Sequence, residues 1–331
     1  MTHANPPIRS LGRTGPAVTT PGLGAMGLSG AYGPSDDDEG IRVLHAYLDA
    51  GGTLLDTGDF YAAGHNEMLI ARALRERSRD DVVLSVKFGA NLAPGAPPVG
   101  FDGSPRNVRR SLVYSLQRLG TDHVDIYRPA RLDPDVPIEE TVGAMAELVD
   151  QGYIRHIGLS EVGVGTLRRA AAVAPVSDLQ IEYSLLSRGI EGNGILDTCR
   201  ELGIGITAYG VLAKGLIGGT GASADHAAAM FPRFQGENRR RNAELVERLQ
   251  ELARAKGATS AQLAIAWVAA QDEGIVPVVG ARRPEQVASM LDSAISLDEA
   301  DLALIDELLP AGAAHGERYP SAFMADLDSE R

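Results

Sequence analysis

A chain of 331 residues, 44% apolar and 23% charged, can bury one large core and has no disorder-like composition. Its formal charge of −13 opposes binding to nucleic acid or anionic lipid, and no basic stripe counters that field, so small molecules are the expected partners. Cys199 is the only cysteine, which excludes an internal disulfide and any multi-cysteine metal centre; the histidines form no H-x-H or H-E-x-x-H pair, and no metal is expected. The opening MTHANPPIRS lacks an apolar signal core and no segment approaches ~20 apolar residues, which gives a cytoplasmic expectation.

In chain order, IRSLGRTGPAVTT alternates polar and apolar residues around a Gly-Pro turn and reads as a short hairpin that plugs one end of the main fold. Eight apolar strand candidates follow, at 21–26, 53–57, 82–87, 124–128, 154–160, 178–183, 203–209 and 275–280. Between them lie helix-period segments at 39–50, 66–77, 105–119, 138–151, 164–173 and 193–202, several closed by glycine-containing turns. The acidic run Asp36 to Glu39 suits the N-terminus of the first helix. The segment GENRRRNAELVERLQELARAKG reads as an outer helix with a solvated basic start.

Strands buried on both faces appear as near-continuous apolar runs, and eight strand–helix units predict a (β/α)8 TIM barrel occupying the whole chain, 1–331, as one domain. An open doubly wound sheet is the rival, but no G-x-G-x-x-G follows an early strand and opens a helix. Long inserts at 88–104 and 211–238, with a C-terminal flap at 311–331, mark the face expected to carry the site.

Six separated residues, Asp56, Tyr61, Lys87, Gln180, Tyr209 and Arg282, fall at or just beyond strand ends, where a barrel mouth lies. Singly, a strand-end Lys can snorkel and an Asp can cap a loop. Together, an ammonium beside a phenol is expected to lower the tyrosine pKa while a carboxylate orients the ammonium, making Tyr61 a proton donor.

The sequence D-T-x-x-x-Y with a downstream strand lysine, followed by GYIRHIGLSE, LQIEYSLLSR, ITAYGVLAKGL and VPVVGARRPEQV, resembles the aldo-keto reductase superfamily over roughly residues 8–310. The resemblance implies a (β/α)8 barrel using NADPH, with NADH less favoured, to carry hydride to a carbonyl carbon while Tyr61, tuned by Asp56 and Lys87, protonates the oxygen. It further implies nicotinamide contacts from Ser160, Gln180 and Tyr209, and a pyrophosphate loop at Gly210, Leu212, Lys214 and Gly215. Gly280, Arg282, Arg283 and Gln286 match the stretch that holds adenosine and its 2′-phosphate.

Three departures stand out. Most relatives carry a histidine where this chain has Ala130, Glu161 replaces the asparagine common after the matching serine, and Ser289 and Met290 replace a frequent Glu-Asn pair. FDGSPRNV, the A-R-x-D-P segment and EYSLLSRGIEGNGI resemble the pyridoxal reductase branch, whose substrate carries a phenolic hydroxyl beside its aldehyde that can polarise the carbonyl internally. His65, four residues after Tyr61, is the direct candidate to replace the missing imidazole, and Tyr319 with Phe323 the candidate flap residues at the substrate. A broad aldehyde or sugar-ketone reductase, an alcohol dehydrogenase and a nucleotide-sensing scaffold subunit are the alternatives.

Overall fold

The computed structural model describes residues 6–96, 98–218, 230–292 and 295–331. β1 (Ile8–Ser10) and β2 (Ala17–Thr19) pair antiparallel, as the Gly-Pro turn predicts. The remaining strands are β3 (Gly22–Gly24), β4 (Leu54–Gly58), β5 (Val83–Phe88), β6 (Val124–Pro129), β7 (Ile154–Ser160), β8 (Val176–Glu182), β9 (Gly205–Tyr209) and β10 (Ile275–Gly280). They close into a barrel in chain order, every neighbour parallel, with β10 completing the ring against β3. This is the (β/α)8 fold, with an N-terminal hairpin added.

Helices α1 (Asp37–Asp49), α2 (His65–Leu74), α3 (Pro105–Leu119), α4 (Ile138–Asp150), α5 (Val164–Ala171) and α6 (Ile195–Leu202) follow successive strands from β3 to β8. Beyond β9 come α7 (Gly236–Ala255) and α8 (Ser260–Ala270); α9 (Pro284–Leu291), α10 (Glu299–Leu308) and the single turn α11 (Ser321–Met324) lie after β10. Local chemistry sets the ends. Asp36 caps α1 by accepting the Glu39 N–H, and Ser104 followed by Pro105 opens α3, which Gly120 then closes. Thr259 and Gln262 form a reciprocal capping box on α8, whose Leu263 to Val268 are all buried.

Strand boundaries differ from the sequence reading by two residues in three places, each with a local cause, and elsewhere by at most one. β3 is only three residues because the chain turns into a 3-10 segment at Ala25. β9 begins at Gly205 because Gly203, in the left-handed region, is spent closing α6. β8 starts two residues early, at Val176, alongside a register shift at Ile157/Gly158.

Most of the core lies between barrel and helices. A smaller cluster joins Leu11 and Val18 of the hairpin region to Leu54, Ile126, Val276 and Val278 of the barrel strands. The hairpin therefore plugs the end of the barrel from which the strands start, as its amphipathic pattern suggested. Leu11 is fully buried there. Leu11→Ala should cost about 2–5 kcal/mol of stability, the usual range for a buried leucine, read as a lower midpoint in urea unfolding. Nucleotide binding at the opposite end should be unchanged.

Candidate active site

The carboxyl ends of the strands bring Asp56, Lys87, Ser160, Gln180 and Tyr209 together. Parallel pairing sets Gly58 beside Lys87 and Ser160 beside Gln180, so residues far apart in sequence share one rim. At its centre the Lys87 ammonium lies 2.5 Å from Asp56 Oδ1, while Ser85 Oγ and Gln180 Nε2 each donate to Asp56 Oδ2 at 2.8 Å. The same ammonium sits 5.0 Å from the centroid of the Tyr61 ring.

Burial alone would raise the Asp56 carboxyl, but Lys87, Arg128 and the donated hydrogen bonds bring it below its ordinary value. Burial pushes the Lys87 ammonium down, against the pull of Asp56. The expected lowering of the Tyr61 phenol is overturned. Burial first, then the Asp56 carboxylate and Tyr32, hold it well above its ordinary value, with Arg131 opposing them. Tyr61 is thus a protonated phenol throughout the physiological range, with a fixed ammonium at hand to stabilise the anion formed when its proton leaves.

Beneath this group lies an ion cluster that the sequence reading passed over. Arg128, fully buried on β6, donates to Asp178 Oδ2 at 2.8 Å and lies 3.5 Å from Asp56 Oδ2; Thr207 also donates to Asp178. An arginine near the end of the buried strand VDIYRP was the available signal.

Tyr209 occupies the end of β9, its hydroxyl donating to Glu161 Oε1 at 2.7 Å and lying 3.1 Å from the Tyr319 hydroxyl. Lys214 donates to Glu182 at 2.9 Å and stands 4.3 Å over the Tyr319 ring. The C-terminal segment is fastened over the mouth through Arg318, which grips both oxygens of the buried Glu161 at 2.9 and 2.6 Å and also reaches Glu330. Ser329 Oγ donates to Glu161, and Asp328 accepts the Gly163 N–H just before α5. Although burial works against ionisation, Arg318, Arg131 and Ser329 together pull the Glu161 carboxyl down to about 2. In the sequence Glu161 stands out only as a replacement for asparagine, and no pattern singles out Arg318 beside Tyr319. Phe323 is half-buried in α11.

The backbone is unusual at this face. Ala62, Ala63, Glu161, Ala213 and Lys214 are the described non-glycine residues with positive φ, and all follow closely on Tyr61, Ser160 or Tyr209. Gly210 and Gly215 bracket Ala213 and Lys214, so the loop after β9 presents backbone in the left-handed form suited to receiving an anion.

His65 opens α2 and is committed elsewhere: Nδ1 meets Ser29 Oγ at 2.9 Å and Nε2 meets Asp37 Oδ1 at 3.0 Å. Neither ring nitrogen is free to take the place of an imidazole at position 130. Ala130 itself is buried, its N–H bonded to the Phe88 carbonyl. At the far side of the mouth, Arg282 donates through its guanidinium to the carbonyls of Tyr32 and Pro34, and Gln286 Oε1 accepts the N–H groups of Arg282 and Arg283 at the start of α9. Arg283 is exposed there, and Gly280 ends β10 next to Gly24.

The family model described as "Aldo/keto reductase family" matches residues 22–310. A Glycine max protein named probable aldo-keto reductase 1 is 40% identical over 325 residues, covering 96% of this chain and 93% of its own length. Among solved structures, a glycerol dehydrogenase from Gluconobacter oxydans superposes with a TM-score of 0.81 at 26% identity, covering 95% of this chain and 98% of its own. A thermostable aldo-keto reductase in complex with the inhibitor epalrestat gives a TM-score of 0.76 at 30% identity, with coverage of 91% and 99%. The holo form of an aldo-keto reductase from Bacillus halodurans gives 0.77 at 26%, with coverage of 92% and 97%. The chain belongs to the aldo/keto reductase family. It is an NAD(P)H-dependent oxidoreductase acting on carbonyl groups of small molecules. Among the described residues, no helix is long and apolar enough to cross a membrane.

Glu161→Gln tests how the tail is held. Its folded pKa of about 2 lies below the ordinary 4.5, so its contribution is complete above about pH 4.5 and is lost as pH falls through 2. A shift of that size corresponds to about 3 kcal/mol. The variant should be about 3–5 kcal/mol less stable at pH 7, lose this part of the acid dependence in unfolding titrations, and expose residues near 318 to limited proteolysis.

Proposed function

We propose that this protein is an NADPH-dependent reductase of small aromatic aldehydes, of which pyridoxal is the favoured candidate. The observation that carries the reading is the contact chain Gln180, Asp56, Lys87, Tyr61 at one rim, with an alanine at position 130 just past the end of the neighbouring strand β6. Tyr61 donates its proton to the carbonyl oxygen as the carbon is reduced. Lys87, held by Asp56, stabilises the phenolate that develops. When bound, the reduced nicotinamide supplies the hydride.

The residues present fit such a dinucleotide. Ser160 and Gln180 offer polar side chains at adjacent strand ends, Tyr209 offers a ring, and the loop from Gly210 through Leu212 and Lys214 to Gly215 offers left-handed backbone. The α9 N-terminus with Arg282, exposed Arg283 and Gln286 provides positive potential for a 2′-phosphate, which favours NADPH over NADH. Without an imidazole at 130, carbonyls that bring their own polarisation gain ground, and the hydroxyl beside the pyridoxal aldehyde does this. A cytoplasmic setting and one domain over 1–331 with a C-terminal flap belong to the same reading. The glycerol dehydrogenase similarity favours, as the second reading, oxidation or reduction of small polyols and ketones.

Tyr61→Phe should lower kcat/KM for pyridoxal by about 10²–10⁴-fold while leaving the Kd for NADPH, read by protein fluorescence, within about twofold. Tight NADPH binding by the unaltered protein with no turnover of any aldehyde or keto sugar would favour the nucleotide-sensing alternative. Arg283→Glu should raise the Kd for NADPH by about tenfold or more with little change for NADH; equal losses for both would remove the 2′-phosphate assignment.

A further inference from the structure

We propose that Arg131 is the second catalytic donor of this site, binding the reacting carbonyl oxygen together with a second oxygen on the neighbouring ring carbon. The inference rests on the aromatic-aldehyde reading above and defines its substrate class more narrowly as ortho-oxygenated aldehydes.

Arg131 immediately follows Ala130, where β6 has just ended, and its part-buried guanidinium turns back over the rim. Nη1 donates to the Ala130 carbonyl at 2.7 Å and lies 3.4 Å from Ser160 Oγ. Ser160 is paired in register with Gln180, which holds Asp56, which holds Lys87 beneath the Tyr61 ring. The guanidinium therefore stands on the same rim as the proton donor, beside the position that lacks an imidazole. It is also one of the charges that act on the Tyr61 phenol, and Tyr209, Glu161 and Tyr319 are among those acting on it, Glu161 from beyond contact distance.

The other cations of this cluster are already spoken for. Lys87 has Asp56, Arg128 has Asp178, Lys214 and Arg233 have Glu182, and Arg318 has Glu161. Arg131, among the described residues, has no carboxylate within 4 Å, and its only hydrogen bonds run through Nη1. A guanidinium anchored by one nitrogen leaves a planar fork of donors, and such a fork matches two oxygens held about as far apart as those of a carboxylate. An aldehyde with a hydroxyl or oxyanion on the adjacent ring carbon presents that pair. The charge is permanent, so Arg131 stabilises the alkoxide-like oxygen without giving up a proton: hydride from the reduced nicotinamide forms the new C–H bond, the carbonyl π electrons move to oxygen, and Tyr61 supplies the O–H proton.

The test compares 2-hydroxybenzaldehyde with 4-hydroxybenzaldehyde as substrates, and 2-hydroxybenzamide with 4-hydroxybenzamide, which lack a carboxylate of their own, as non-reducible ligands titrated calorimetrically into the NADP⁺-loaded protein. The unaltered protein should favour the ortho member of each pair. Arg131→Met should lose about 10–100-fold in kcat/KM for the ortho aldehyde, abolish both ortho preferences, and keep its NADPH affinity and melting temperature. Arg131→Lys should recover part of kcat without the ortho preference, since an ammonium lacks the fork. Uniform losses for both aldehydes in Arg131→Met, with ortho-selective binding intact, would reduce Arg131 to a structural part and overturn the inference. An unaltered protein that reduces aromatic aldehydes with no ortho preference overturns it too. Failure to reduce any aromatic aldehyde defeats the broader reading, and the inference with it.

Discussion

Four charges enclosed by the barrel govern the site: Asp56, Lys87, Arg128 and Asp178. Ions taken out of water cost several kcal/mol each unless paired, so this set is tolerable only as a neutral assembly, two carboxylates against two cations. The pairing depends on strand register. Lys87 and Arg128 are opposed across β5 and β6, and Gly158 is opposed to Asp178 across β7 and β8. Gly158 allows the arginine to lie against the strand, since a Cβ there would sit 2.7 Å from Asp178 Oδ1 and 2.9 Å from Arg128 Nε. Two nitrogens of Arg128 have no hydrogen-bond partner, so its hold on Asp56 is electrostatic rather than directional. Burial disfavours the Asp178 carboxylate strongly enough to raise its pKa even beside the guanidinium. Barrel closure and active-site charge state are therefore a single condition.

Around this fixed centre the mouth is built by different means. The strands are regular, whereas the loops that follow Tyr61, Ser160 and Tyr209 hold alanine, glutamate and lysine in a backbone region those residues rarely adopt. Ionic contacts over-determine the conformation. Glu161, left-handed in backbone, binds Arg318, Ser329 and Tyr209 through its carboxylate and the Glu182 N–H as well. The left-handed Lys214 is fixed by Glu182. The same contacts draw the C-terminal segment across the opening and bring Tyr319 against Tyr209.

The sequence discloses the barrel because each strand is an apolar run and each helix has a cap or a glycine stop, signals contained within a dozen residues. Asp56, Tyr61 and Lys87 could be grouped because they share a strand-end pattern. The wiring among charges could not be read in the same way. Gln180 meets Asp56 across 124 residues and Arg318 meets Glu161 across 157, and no local pattern announces either contact. The direction of the Tyr61 shift is not legible in the sequence for a related reason: the nearness of Lys87 follows from strand pattern, but the larger effect of burial follows from how the whole mouth is covered. His65 had the right chemistry in the right loop, yet Ser29 and Asp37 come from the preceding strand–helix unit to claim both its nitrogens. Arg131 carried no periodic or spacing signal, and its place is set by where β6 ends.

The hairpin at the other end of the barrel has a bearing on turnover. Leu11 and Val18 close the floor with hydrocarbon packed on Leu54, Ile126, Val276 and Val278, which leaves the mouth as the polar end of the barrel. With Tyr61 as the proposed acid, the proton given to a carbonyl is replaced through the mouth, the same opening by which substrate arrives. A molecule seated over the phenol obstructs the water that would recharge it. On that proposal, resetting the acid is tied to product release.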